Sequence, residues 1–160
     1  MKTNYNNVEK IIKKLASKNQ TITFAESCTG GRIAAAFTSI SGASAVLHGS
    51  VVTYSNDIKH QWLSVDQEVL DNYGAVSSQC VSQMLKGIMK LSHANYALAV
   101  SGIAGPTGGS KEKPVGTVYI GVETPTNQEI FHCIFQGDRE SIQVQSTSFA
   151  IEKLKEVLEI

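Results

Sequence analysis

Thr21-Ile22-Thr23-Phe24-Ala25-Glu26-Ser27-Cys28-Thr29-Gly30-Gly31-Arg32-Ile33-Ala34-Ala35-Ala36-Phe37 is the stretch that decides the fold. Thr21 to Ala25, β-branched and apolar, predicts a short strand. Gly30 to Ile40 predicts a helix entered through Cys28-Thr29, with Thr29 as its N-cap. A strand that feeds a polar, glycine-rich turn into a helix is where α/β proteins place ligand sites, because glycine lets the backbone approach a ligand closely. Two further polar segments belong with it. Thr53-Tyr54-Ser55-Asn56-Asp57-Ile58-Lys59 is the tail of an apolar stretch from Val46 to Tyr54, and Ser101-Gly102-Ile103-Ala104-Gly105-Pro106-Thr107-Gly108-Gly109 follows the apolar run Tyr96 to Val100.

Outward from these segments, Val8, Ile11, Ile12, Leu15 and Ala16 recur at helical spacing. Asp57 to Leu63 predicts a short helix capped by Ser55 or Asn56, and a further helical piece follows near Asp66 to Tyr73. Ser77 is a candidate cap for a longer helix to about Leu91, with Val81, Leu85, Ile88 and Met89 on one face. Val115 to Val122 and Glu129 to Phe135 predict a strand pair joined through Thr124-Pro125-Thr126-Asn127. Asp138 then opens a last helix to about Glu159, with Ile142, Phe149, Leu154, Val157 and Leu158 on its apolar side. Interleaved helices and strands followed by a strand pair predict an α/β fold: a three-layer α/β/α sandwich on a mixed sheet, as a single domain over residues 1–160.

Composition narrows the class. The chain has 160 residues, 42% hydrophobic and 18% charged, enough to bury a substantial core. Lys plus Arg and Asp plus Glu number 14 each, so the total charge favours neither a nucleic acid nor an acidic membrane as partner. No apolar run approaches the roughly 20 residues that span a bilayer. The stretch Met1-Lys2-Thr3-Asn4-Tyr5-Asn6-Asn7 is polar and leads into an amphipathic pattern, unlike a signal-peptide core. Cys28, Cys80 and Cys133 are odd in number and widely spaced, which indicates neither a disulfide framework nor a zinc site. The expectation is a cytoplasmic protein without a metal, and a symmetric homo-oligomer by default.

Ser27 stands where the first strand hands over to a helix, beside N–H groups that lack intrahelical partners and carry the positive end of the helix dipole. Such donors suit a developing oxyanion. The competing reading is that Glu26, Ser27 and Thr29 cap the helix and close a turn. The segment is not Gly-x-Ser-x-Gly, and His48, His60, His93 and His132 share no motif with it, so a Ser-His-Asp triad has no basis. Lys59 is the alternative base, provided desolvation or a nearby cation lowers its pKa. Tyr54, five residues earlier, is a candidate to orient the lysine or relay a proton; the alternative is a solvated lysine and a half-buried tyrosine. The four glycines of Ser101 to Gly109 let several N–H groups converge on an anion or carbonyl, but the segment has neither a P-loop ending nor a dinucleotide spacing. Arg139 is a candidate bidentate clamp for phosphate or carboxylate, or a solvated helix-start residue. Cys28 with Glu26 and Lys59 would make a Glu-Lys-Cys set of the nitrilase kind, although a buried cysteine is more often inert packing.

Taken together, Ala-Glu-Ser-Cys-Thr-Gly-Gly, Val-Val-Thr-Tyr-Ser-Asn-x-x-Lys, Gly-Ala-Val-Ser, Ser-Gly-Ile-Ala-Gly-Pro-x-Gly-Gly and Lys-Pro-Val-Gly-Thr-Val resemble the CinA C-terminal domain family. They stand at 25–31, 51–59, 74–77, 101–109 and 113–118, in the family's order, and the likeness runs from about Val8 into the last helix. The resemblance implies an amidohydrolase that converts nicotinamide mononucleotide to nicotinate mononucleotide and ammonia, with Ser27 as nucleophile, Lys59 as its base and Tyr54 as a supporting hydroxyl. It implies a small-molecule nucleotide substrate and no cofactor. Substrate-binding candidates are Thr29, Gly30 and Gly31, then Ser101, Gly102, Gly105 and Gly108, then Arg139. The chain resembles the stand-alone amidase form rather than members with an additional N-terminal domain. It departs from relatives that carry another basic residue after Asp-Arg, having Ile142-Gln143-Val144 there. Two alternatives stay open: a non-catalytic nucleotide-binding or regulatory module, and an amidase for another small amide with Cys28 as nucleophile.

Overall fold

Five strands run in the order β2-β1-β3-β4-β5 across one sheet. The structure, a computed structural model, describes residues 2–160; Met1, where the polar N-terminal stretch begins, lies outside them. In chain order the elements are α1 (Lys2–Ser17), β1 (Ile22–Glu26), α2 (Arg32–Thr38), a 3-10 turn (Ala43–Ala45), β2 (Leu47–Val52), α3 (Asn56–Leu63), α4 (Gln67–Tyr73), α5 (Ser78–Ser92), β3 (Tyr96–Gly102), β4 (Thr117–Glu123), β5 (Gln128–Ile134) and α6 (Arg139–Val157). β1 lies parallel to both β2 and β3, whereas β4 and β5 are antiparallel additions, so the sheet is mixed.

Strand side chains alternate between faces, and the core divides accordingly. Phe24, Leu98, Val100 and Ile120 pack with Ile11 and Leu15 of α1, Phe37 of α2, and Ile151 and Leu154 of α6. Ala25, Ala97 and Ala99 face the opposite layer, where they meet Leu63 of α3, Leu70 of α4, and Val81, Met84 and Leu85 of α5. The result is the three-layer α/β/α sandwich. Small alanines on the second face bring α5 close to the sheet. Aromatic rings fill the first, with the Phe24 and Phe37 centroids 4.8 Å apart. Full burial of each such ring contributes roughly 1.5–3 kcal/mol.

Element ends differ from the sequence reading where turns intervene. α2 begins at Arg32 rather than Gly30, because Gly30 and Gly31 take φ of 60° and 94°, a left-handed conformation that cannot open a right-handed helix. Thr29 is therefore not the N-cap. Val115 and Gly116 stay outside β4, since Gly116 turns with φ 95° and donates its N–H to Ile103 O. Ser55, Ser77 and Asp138 do cap α3, α5 and α6, accepting from the N–H of Ile58, Cys80 and Ser141.

The topology also chooses where a site can form. From β1 the chain crosses through α2 to β2 on one side, and β3 lies on the other side of β1. The order reverses between β1 and β3, and a crevice opens beyond their C-terminal ends. Those ends carry Ser27 and Ser101.

Candidate active site

A cavity of about 260 Å3 occupies that crevice, with Ser27 and Cys28 after β1, Tyr54, Asn56 and Lys59 after β2, and Ser101 to Gly105 from the end of β3 onward on its walls. Ala75, Val76, Thr107, Gly108 and Arg139 complete the lining. A larger hollow of about 380 Å3 between α1, α2 and α6 is lined chiefly by Tyr5, Ala35, Ala36 and Val144. It holds none of these groups, so the smaller cavity is the chemical one.

Lys59 is its centre. The side chain is 2% exposed, and its Nζ donates to Thr53 O at 2.8 Å and to Ser27 Oγ at 3.1 Å. Burial pushes its pKa below the ordinary 10.5, because the cavity wall replaces the water that would solvate an ammonium; the nearby thiols of Cys80 and Cys28 act weakly the other way. A neutral amine keeps two N–H donors and one lone pair. With one N–H committed to Thr53 O, the lone pair can accept the Ser27 proton along the 3.1 Å contact. The Ser27 hydroxyl thereby faces a base held in place by the backbone of β2's last turn.

The turn bearing Ser27 is fastened from beneath by Glu26, whose carboxylate is fully buried. It accepts from Thr29 Oγ1 (2.6 Å), Gly31 N (3.0 Å), Ile33 N (3.2 Å) and Ala34 N (2.9 Å). These are the orphan donors of α2's first turn, so Glu26 caps the helix and sits at the favourable end of its dipole. The capping and nucleophile readings of this segment thus coexist on alternate residues: Glu26 turns to one face of β1 and Ser27 to the other.

Three expectations need correction. Gly30 donates its N–H to Ser27 O and Gly31 to Glu26, while the Thr29 hydroxyl is turned inward onto the same carboxylate, and none of the three residues lines the cavity. Tyr54 does not orient the lysine: its ring is largely exposed, and its hydroxyl accepts from Arg139 Nη2 at 2.7 Å. The Glu-Lys-Cys set does not assemble, because both Glu26 oxygens are committed to α2 and burial pushes the Cys28 thiol up to about 12. Ser101, Gly102, Gly105, Gly108 and Arg139 all line the cavity.

Arg139 spans two of its walls, donating from Nη1 to Gly105 O at 2.7 Å as well as to Tyr54. Gln143, one turn further along α6, is buried behind the cavity and donates to Cys28 O at 2.9 Å. The sequence marked position 143 only by the missing positive charge; its contact with the nucleophile turn, 115 residues away in the chain, has no local signal. Asn56, Ala75 and Val76 were likewise not assigned, although they fall within the 51–59 and 74–77 motifs.

Comparison with known proteins matches residues 4–158 to the CinA C-terminal domain model. Among curated relatives, the chain is 48% identical over 144 residues to a CinA-like protein of Endomicrobium trichonymphae, covering 90% of this chain and 34% of that one. It is 46% identical over 145 residues to a CinA-like protein of Fervidobacterium nodosum, covering 91% and 36%. The chain thus spans about a third of the length of the curated relatives it matches. Among solved structures, the competence/damage inducible protein CihA from Agrobacterium tumefaciens superposes with a TM-score of 0.94 at 40% identity, covering 98% of this chain and 96% of that one. The competence damage-inducible protein A from Klebsiella pneumoniae superposes with a TM-score of 0.94 at 35% identity, covering 98% and 97%.

Proposed function

The chain belongs to the CinA C-terminal domain family, and from that footing we propose that it is a nicotinamide-nucleotide amidohydrolase working by a Ser27–Lys59 mechanism. One observation carries the reading: a buried lysine with a lowered pKa stands 3.1 Å from a serine hydroxyl at the mouth of a ligand-sized cavity.

Neutral Lys59 takes the Ser27 proton as Oγ bonds to the carboxamide carbon, and the carbonyl π pair moves onto oxygen. Collapse of the tetrahedral intermediate breaks the C–N bond, and the Lys59 ammonium returns the proton to the departing nitrogen, which leaves as ammonia. Water, deprotonated by Lys59, then cleaves the acyl ester to the carboxylic acid, and the Lys59 ammonium returns that proton to the departing Ser27 Oγ. The sum is amide plus water to acid plus ammonia, with no redox change and no metal or other cofactor in the scheme.

Ala75, Val76 and Ile103 offer an apolar wall for a flat ring. Two of Arg139's five N–H donors are engaged, which leaves others for the substrate phosphate, together with N–H groups of the Gly105–Gly108 turn. The same reading includes a small-molecule nucleotide as substrate, a cytoplasmic setting and a symmetric homo-oligomer.

Ammonia release from nicotinamide mononucleotide by the wild type, beside Ser27→Ala, tests the proposal. Turnover that vanishes in the variant supports both substrate and nucleophile. Silence in a well-folded wild type rejects nicotinamide mononucleotide as the substrate.

A further inference from the structure

The reaction needs a group to receive the negative charge that develops on the carbonyl oxygen. The sequence offers the N–H groups of Thr29 to Gly31 or of the 101–109 loop for this, and of these Gly30 and Gly31 are consumed by Ser27 O and Glu26. We infer that the hydroxyl of Ser101 is the oxyanion donor of this site, an assignment that rests on the Ser27 amidase reading and deepens it.

Register and strand parity place Ser101. In the parallel β1–β3 pair, Thr23 is matched with Ala97 and Ala25 with Ala99. The pairing ends at Ala25 and Ala99; Ser27 follows the last residue of β1 and Ser101 lies at the end of β3, each two residues beyond that pair. Side chains alternate along each strand, and Ala25, Ala97 and Ala99 all face the α3–α5 layer. Ser27 and Ser101 therefore project to that same face, where Lys59 stands, and both line the cavity. Ser101 is 1% exposed and lines the cavity, and among the described residues its hydroxyl is engaged by no other protein group.

The hydroxyl also suits the task chemically. Lys59 meets Ser27 and Thr53 O, not Ser101, so the second serine is outside the proton path. A carbonyl carbon bonded to Ser27 Oγ directs its oxygen to one side of the nucleophile, and the β3 side offers an O–H donor there. The neighbouring backbone assists. Ile103 N–H points to β4, donating to Thr117 O, so strand alternation turns the Gly102 N–H toward β1, just past its last residue. An O–H and an N–H side by side on one rigid strand end make a preorganised pair that need not reorganise as charge develops.

The test compares wild type with Ser101→Ala on nicotinamide mononucleotide and on its thioamide analogue, after both proteins show the same melting temperature. Losing one oxyanion donor lowers kcat by about 100-fold and leaves KM within about twofold. Because sulfur accepts hydrogen bonds poorly, the preference for the oxygen amide shrinks by about tenfold in the variant. A merely structural serine would not move that preference. A variant that keeps a third or so of wild-type kcat, or loses kcat with the oxygen-to-sulfur preference intact, overturns the assignment of Ser101 alone. A wild type that releases no ammonia overturns the amidase reading, and this inference with it.

Discussion

Arg139 and Gln143 stand one helical turn apart on α6, and between them they tie together the three segments that make the cavity. Arg139 bonds to Tyr54 after β2 and to Gly105 after β3, while Gln143 bonds to Cys28 after β1. The spacing of four residues puts both side chains on one helix face. The last helix thereby sets the distance between the nucleophile turn and the loops that hold the rest of a substrate.

Gln143→Leu removes the bond to the Cys28 carbonyl and leaves that buried oxygen without a partner. The expected cost is about 1–3 kcal/mol of stability, read from a urea melt. With the nucleophile turn loosened, kcat drops by about tenfold while KM stays near wild type, because the contact orients Ser27 rather than the phosphate. A rise in KM alone would instead put position 143 on the substrate side.

Lys59→Met abolishes turnover without costing stability at neutral pH. The amine is buried, and its folded-state pKa lies below the ordinary value, so holding it charged opposes folding. Between the lowered folded pKa and 10.5, the unfolded state binds more protons than the folded one, and wild-type stability rises with pH across that window. The variant lacks this slope. Melting temperatures of both proteins from neutral to alkaline pH decide the matter; a neutral-pH melting temperature well below wild type would count against it.

The pH profile of kcat/KM reports the same group. Activity requires neutral Lys59, so the rate climbs as pH rises and levels off above an inflection that lies below 10.5. Lys59→Met has no such limb. An inflection at or above the ordinary lysine value would mean that burial does not prepare the base.

Tyr54→Phe removes the hydroxyl that fixes the Arg139 guanidinium. The prediction is a severalfold higher KM for the mononucleotide and a smaller change in kcat. Nicotinamide riboside, which lacks the phosphate, should be affected little. Arg139→Lys, which cannot bridge Tyr54 and Gly105 with one planar fork, raises KM by about tenfold or more. If Tyr54→Phe lowers kcat equally for both substrates, the tyrosine belongs to the proton path after all.

Glu26→Ala leaves the first-turn N–H groups of α2 and the Thr29 hydroxyl without their common acceptor. A loss of about 1–3 kcal/mol or more follows, the range for leaving a buried donor without its partner. Glu26→Gln keeps one acceptor oxygen and loses about half as much. Equal melting temperatures for Glu26→Ala and wild type would refute the capping role.

The sequence by itself determined the elements and the location of the chemistry. Period-two and period-3.6 patterns are local, so β1, β3 and α5 could be read directly, as could the caps Ser55, Ser77 and Asp138, each within three residues of the N–H it receives. Glycine-rich turns marked the strand ends for the same reason, and Ser27, Lys59 and Arg139 lie on the cavity those turns enclose. What only the tertiary structure decided is which partner each polar group found. Thr29 looked like a cap, yet the Glu26 carboxylate, three residues back on the opposite face from Ser27, captured its hydroxyl and the helix donors too. Tyr54 looked like the lysine's companion, yet a guanidinium 85 residues later reached it first, and Thr53 O took the lysine. Hydrogen bonds are short-ranged and directional, so their pairing follows from strand register and helix rotation; the parallel match of Ala25 with Ala99, beyond which Ser27 and Ser101 line one cavity, is a property of the folded sheet and of no single segment.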